Sequence, residues 1–419
     1  MLNLPFFKKA NKEKLLETNL NSIALDIGTE VLKGMLFCTT PTGVEIKKIS
    51  RIQQQEHAMK SGTIRNLDTV LENCKLCVEE LTQDLLEEDL PRSVIMGIAG
   101  EYIQGVSIVV NYQREDNFDN EVTEKEEQRI IEKIKSRIEQ GGKEDLSQRI
   151  GLKYEDIDIL HITPTGTEIG GMPVNSLVGY KGKDVKLHFY ASFAPRTYVS
   201  ALKQVSSSLN LDLIGIVSQP FAVARGLSGS SNADFNAIFI DIGGGTTDVA
   251  VVEKGNVTET KMFGFGGRVF TKEISKSLNL EYRYAEQRKV KYAQKELTPE
   301  LSKKIQSLCY NTAKLWMKTL KAALESCDDV DVFPSQIYLC GGGSLLPEIR
   351  EVIIEFPWKK YLPFAVVPQV KIFTPDLLAS ITDSSGKLKH VYDITPASLA
   401  KFVYDQEIEQ KDINIVGGN

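Results

Sequence analysis

The chain has 419 residues, 42% hydrophobic and 25% charged, which suits a globular protein with a large core and several domains. A net charge of −6 offers no basic footprint for nucleic acid, and no stretch approaches the apolar length of a membrane-spanning helix. No secretory leader is expected, and six scattered cysteines suit a reducing cytoplasm.

Residues 1 to 20 are basic and partly amphipathic, with Leu2, Leu4, Phe6 and Phe7 beside Lys8, Lys9, Lys12 and Lys14. Two strands follow, "SIALDIG" and "VLKGMLF". Cys74 and Cys77 form a C-x-x-C, but Val70, Leu71, Cys74, Cys77, Val78 and Leu81 share one helical face, so core packing is expected rather than metal or redox chemistry. The charged stretch from 122 to 142 reads as a surface helix. Thr123 and Glu126 form a capping box, Ile130, Ile131, Ile134 and Ile138 a stripe, and Gly141 and Gly142 the stop. Strands resume at "DIDILHIT", where His161 is expected to be structural, and at "VKLHFYASF". A helix is expected over 197–209, a long one over 299–327, and a loose polar tail from 407 onward.

Three glycine turns carry the chemistry. "IALDIGTEVLKGMLF" and "IFIDIGGGTTDVAVV" share a plan of apolar strand, Asp-Ile-Gly, short turn and returning strand, about two hundred residues apart. This echo predicts two similar α/β domains facing a common cleft. Bare backbone N–H groups at such turns form a concave anion site, and threonine hydroxyls add donors. The flanking Asp26 and Asp241 can hold water on a Mg²⁺ ion that keeps most of its hydration shell. The third turn, "YLCGGGSLLPEI", places Gly341, Gly342, Gly343 and Ser344 where backbone can stack beneath a flat base. Together the three describe a nucleotide cleft.

These residues resemble the actin, heat-shock chaperone and sugar-kinase ATPase superfamily, and within it the FtsA family of bacterial division proteins, over most of residues 22 to 404. The FtsA resemblance rests on "KSGTIRNLDTVLENC", "VIMGIAGEYIQG", "DILHITPTGTEI", "GYKGKDVKLHFYASFA" (with Tyr180 in place of a methionine) and "GFGGRVFTKEISKSLNLEYRYAEQRKVKYA". It implies an α/β actin-like ATPase fold: two duplicated lobes around a nucleotide cleft, with an inserted small α+β domain of the 1C/SHS2 type. The implied divisions are a first lobe at 21–105 and 195–235, an insertion at 106–194, and a second lobe at 236–265 and 335–405. Subdomain 2B covers 266–334, and segments 1–20 and 406–419 lie outside the core.

By the same resemblance, Asp26 and Asp241 organise Mg²⁺ through water. Gly28, Thr29 and Glu30 form the first phosphate turn, and Gly243, Gly244, Gly245 and Thr246 the second. Lys33 contacts phosphate, though alone it also reads as a strand-edge lysine. Gly266 and Gly267 start a helix near the nucleotide. Glu286 and Lys289 reach the ribose or adenine, although "EQRKVKYAQKE" equally fits a solvated helix face. Gln219 stands where the superfamily orients the attacking water.

The implied function is a filament-forming, ATP-binding adaptor with slow or no hydrolysis that links FtsZ, through its C-terminal peptide, to the inner face of the cell membrane. The residues "IEQKDINIVGGN" lack the apolar, basic character of the family's usual C-terminal membrane helix; the N-terminal segment offers a substitute membrane contact, and equally reads as a frayed, solubilising terminus. PilM, an adaptor of type IV pilus assembly that binds a cytoplasmic peptide of a membrane partner, is the alternative resemblance. The three-glycine second turn and the glycines over 179–185 favour FtsA.

Overall fold

The computed structural model describes residues 20–416, apart from 101, 116–117, 175, 229–234 and 328–329; the N-terminal basic segment lies outside them. The first half opens with an antiparallel meander, β1 (Ser22–Ile27), β2 (Val31–Thr40) and β3 (Gly43–Gln53). A short ladder of β4 (Met59–Lys60) and β5 (Thr63–Ile64) leads to α1 (Leu67–Thr82) and β6 (Ser93–Ile98). Strands β1 and β6 are buried throughout, as expected of strands covered on both faces. Helix α1 packs Val70, Cys74, Cys77 and Leu81 into the core, and burial pushes the Cys77 thiol up to about 12, so this C-x-x-C is packing.

The chain then runs through β7 (Gln104–Gln113), α2 (Glu124–Ile150), β8 (Ile157–Ile169), β9 (Met172–Val174) and β10 (Asp184–Pro195). Ile130, Ile134 and Ile138 of α2 pack with Phe189 and Phe193 of β10 in a separate core. Two details differ from the sequence reading. Only half of the capping box forms: the Thr123 hydroxyl accepts from Glu126 N at 3.3 Å, while the Glu126 carboxylate receives Arg114 at 2.7 and 3.0 Å. Helix α2 also continues through Gly141 and Gly142, and ends at Gly151 in the left-handed conformation. Gly142 is a packing residue, because a Cβ there would stand 2.1 Å from the Phe193 ring.

The first half closes with α3 (Arg196–Ser208), β11 (Asp212–Ser218) and α4 (Gln219–Ser228). The second half repeats the meander as β12 (Ala237–Ile242), β13 (Thr247–Glu253) and β14 (Asn256–Phe263). Helices α5 (Gly267–Leu278), α6 (Tyr282–Ala293) and α7 (Pro299–Glu325) follow. Then come β15 (Gln336–Cys340), α8 (Pro347–Glu355), α9 (Trp358–Tyr361), β16 (Gln369–Ile372), β17 (Ile381–Asp383) and α10 (Ile394–Val416). The expected loose tail is helical to Val416: no glycine or proline interrupts the chain between Pro396 and Gly417.

Two large sheets result. Their orders are β11-β6-β1-β2-β3-β17 and β16-β15-β12-β13-β14-β7-β10-β8-β9. The runs β11-β6-β1-β2-β3 and β16-β15-β12-β13-β14 match strand for strand, with the same antiparallel and parallel pairings. The internal echo in the sequence is thus a duplicated topology. The inserted strands extend the second sheet through β7 on β14, with Val106 opposite Glu259. Between the lobes, α4 and α10 pack on each other; α10 lies on β1, β2 and β6, and α4 on β12, β13 and β14. Phe221 and Phe402 from this helix pair share a core with Met35 of one sheet and Phe239 of the other.

The neighbouring glycines of α2 test this packing. Gly141→Ala, with open space around it, is expected to stabilise the fold by about 0.5–1 kcal/mol through helix propensity. Gly142→Ala is expected to destabilise it by about 1–3 kcal/mol through overpacking against Phe193. Urea denaturation of both variants checks the opposite signs.

Candidate functional site

Each meander turns at the mouth of a cleft of about 750 Å³, a volume suited to a small organic ligand. Strand register sets the charges. Asp26 faces Lys33 across β1 and β2, and Asp241 faces Asp248 across β12 and β13. All four residues line the cleft, and the three carboxylates are buried.

Lys33 Nζ lies 2.5 Å from Asp26 Oδ2, and Gln219 Nε2 donates to Asp26 Oδ1 at 2.9 Å. Burial would lower the Lys33 pKa, but Asp26 and Asp241 over-compensate and hold it raised. Burial raises the Asp241 pKa against the opposing pull of Lys33 and of the Thr395 hydroxyl, which donates to Oδ2 at 2.5 Å. Asp248 is raised well above the usual carboxylate range, by burial first and then by Asp241 and Asp26. Its Oδ1 has no hydrogen-bond partner among the described residues. A buried, proton-retaining carboxylate with an orphaned oxygen beside two further carboxylates is a site short of positive charge. No group of three His, Cys, Asp or Glu among the described residues could hold a metal directly. The donor set therefore fits a hydrated cation held through its water rather than a stripped one.

The glycine turns meet each other. A Cβ on Gly245 would stand 2.5 Å from Thr29 Oγ1, and one on Gly244 2.5 Å from Glu30 Cγ. Gln54 Nε2 supports the first turn at Gly28 O (3.3 Å). The second is joined to the start of α5 by Gly267 N to Gly243 O (2.9 Å) and Arg268 N to Gly244 O (2.8 Å). In the third turn Gly341 has φ +77°, and a Cβ there would lie 2.1 Å from Asp241 Oδ1, so only glycine lets this backbone pass the carboxylate.

Every site residue expected from the sequence lines the cleft except Gly266 and Ser344. Gly266 caps α5, and the Ser344 hydroxyl folds back onto Gly341 O at 2.7 Å. Glu286 and Lys289 face the cleft rather than solvent. Lys289 is buried and reaches Glu286 (2.8 Å), Gly267 O (3.0 Å) and Thr271 Oγ1 (2.9 Å). His161 is a buried structural residue: its Nδ1 lies 2.9 Å from Ser192 Oγ, and burial, then Arg225, lowers its pKa to about 3.

Sequence reasoning passed over Asp248, Arg268, Tyr282 and Thr395. Asp248 was legible, since it stands seven residues after Asp241 as Lys33 stands seven after Asp26. Thr395 comes from 154 residues away and carries no local signal.

The family model for cell division protein FtsA matches residues 238–386, which include the second and third glycine turns. FtsA of Neisseria meningitidis is 26% identical over 270 residues, 64% of this chain and 60% of that protein. FtsA of Pseudomonas aeruginosa is 20% identical over 372 residues, 82% of this chain and 83% of that protein. A chain of the solved PilM–PilN type IV pilus biogenesis complex superposes with a TM-score of 0.66 at 15% identity, covering 92% of this chain and 99% of that one. At that identity the likeness is one of fold. The duplicated lobes and paired turns define a protein of the actin-like ATPase fold. Within that class, the chain is similar in sequence to cell division proteins of the FtsA family, over the segments given above.

The raised Asp248 makes stability pH-dependent. Its unfolded value is about 3.9, so the native chain keeps a proton the unfolded chain has released. Stability therefore falls as pH rises from there through the raised native value. Asp248→Asn is expected to raise the thermal midpoint at about pH 8, by about 1 °C per kcal/mol regained in a chain of this length, with the gain shrinking towards about pH 4. Scanning calorimetry across pH checks it; a pH-independent gain contradicts it.

Proposed function

We propose that this protein binds MgATP between its lobes and works in cell division as an FtsA-type adaptor. It assembles with copies of itself and links FtsZ filaments to the inner face of the cell membrane. The observation that carries this reading is the facing pair of glycine turns with buried Asp26 and Asp241, the second inside the segment matched by the FtsA model.

In this reading Gly28 and Thr29 bind phosphate oxygens from one side, and Gly243, Gly244, Gly245 and Thr246 from the other. Lys33, poised on Asp26, can swing its charge towards phosphate. Asp26 and Asp241 would hold the hydrated Mg²⁺, which supplies the positive charge the buried carboxylates lack. Glu286 and Lys289 face the ribose and adenine, and Gly341, Gly342 and Gly343 lie beneath the base. Gln219 is the residue for orienting a water, yet its amide already donates to Asp26, which supports slow turnover or none. The inserted segment 106–194 is the proposed filament contact, and the second lobe near 268–330 the proposed dock for the FtsZ tail.

Among the described residues no helix is long and apolar enough to cross a membrane; residues 1 to 16 are the proposed membrane contact. A pilus-assembly role has the fold likeness behind it, whereas the sequence relatives are FtsA proteins.

Fluorescence anisotropy of labelled peptides tests the partner. An FtsZ C-terminal peptide is expected to bind, and a pilus inner-membrane peptide is not; the reverse result overturns the division reading. Asp241→Ala is expected to abolish Mg²⁺-dependent ATP binding, and retained affinity would refute the site assignment.

A further inference from the structure

The first phosphate turn contains a residue that opposes its proposed ligand. Glu30 lines the cleft, and its side chain lies against the backbone of Gly244 in the second turn. A free carboxylate there would repel a polyphosphate.

The carboxylate is not free. Arg268, at the start of α5, donates from Nε to Glu30 Oε1, from Nη1 to Met59 O (2.7 Å) and from Nη2 to Thr29 O (2.9 Å). Tyr282, at the start of α6, donates its hydroxyl to the same Glu30 oxygen at 2.8 Å. Every acceptor belongs to the first lobe and both donors to the second. The backbone N–H of Arg268 meanwhile holds Gly244 O, so one residue grips both glycine turns. The Arg268 and Glu30 side chains are only 14% and 15% exposed, so solvent screens the pair weakly. A lysine would have to meet all three acceptors from one nitrogen, whereas the guanidinium fork meets each from a different one.

We infer that Arg268 and Tyr282 are positioning residues of the cleft, which neutralise the Glu30 carboxylate and fasten the two lobes together over the bound nucleotide. This rests on reading the cleft as a nucleotide site. The arginine lies behind the first turn rather than in the cleft lining, so it acts through Glu30 and through closure. Opening the cleft breaks all four bonds together, and release of ligand requires that opening.

The test uses the full chain with introduced cysteines at exposed Lys75 and Lys276, one per lobe, the native cysteines being buried. Spin labels there report lobe separation without nucleotide, and stopped-flow fluorescence reports release of a fluorescent ATP analogue in Mg²⁺. Arg268→Ala is expected to widen the separation and to speed release by about tenfold or more. Adding Glu30→Gln to Arg268→Ala is expected to recover the part of the affinity lost to the bared carboxylate while the lobes stay apart. Tyr282→Phe, a milder change, is expected to speed release by about two- to threefold. Unchanged separation and release in Arg268→Ala would overturn the inference, as would a double variant that binds no better than Arg268→Ala. Should the wild-type chain not bind the analogue, the nucleotide reading fails, and the nucleotide-free separation alone decides whether the lobes are fastened.

Discussion

Burying three carboxylates on facing strand ends is the constraint on which the cleft depends. Duplication of the meander places the residue seven positions after each aspartate directly opposite it. In the first lobe that residue is Lys33, and the charge is balanced across the strand pair. In the second it is Asp248, and the charge is doubled. Like charges opposed on an antiparallel pair destabilise it, and burial magnifies the penalty. The imbalance is eased by the raised pKa of Asp248, which favours its neutral form, by the Thr395 hydroxyl that donates to Asp241, and by the Lys33 charge, which acts on both Asp26 and Asp241. A hydrated cation and the donors of the glycine turns complete a site built around that deficit.

The rest of the molecule keeps those carboxylates in register. The α4–α10 pair packs between the two sheets, and its aromatic residues share one core with both. Polar contacts near the start of α10 join the two halves as well. Arg51 holds the fully buried Asp393 with two bonds of 2.9 and 2.7 Å, and Gly341 N reaches Val391 O just before α10. Thr395, on the next turn of chain, then meets Asp241. The Asp241 carboxylate of one sheet is thereby tied to a helix packed on the other sheet. At the opposite rim, Arg268 and Tyr282 close the same two lobes from outside.

Much of the fold was legible because its signals are local. The buried strands, the Asp-Ile-Gly echoes and the helical face of Cys74 and Cys77 all lie within short windows. The echo also foretold the duplicated topology. What sequence misjudged were positions where tertiary packing overrides a local rule. Gly142 reads as a helix stop but makes room for Phe193, and Glu126 reads as a capping partner but serves buried Arg114. Arg268 and Tyr282 could not be read at all, since their partner Glu30 lies more than 230 residues away.

Calorimetric titration of ATP into the full chain, with Mg²⁺ or with a chelator in its place, tests the central claim most directly. A cleft built on a buried carboxylate surplus predicts saturable binding with Mg²⁺ that weakens by about a hundredfold or more once the cation is removed. Equal affinity with and without the divalent cation would contradict it.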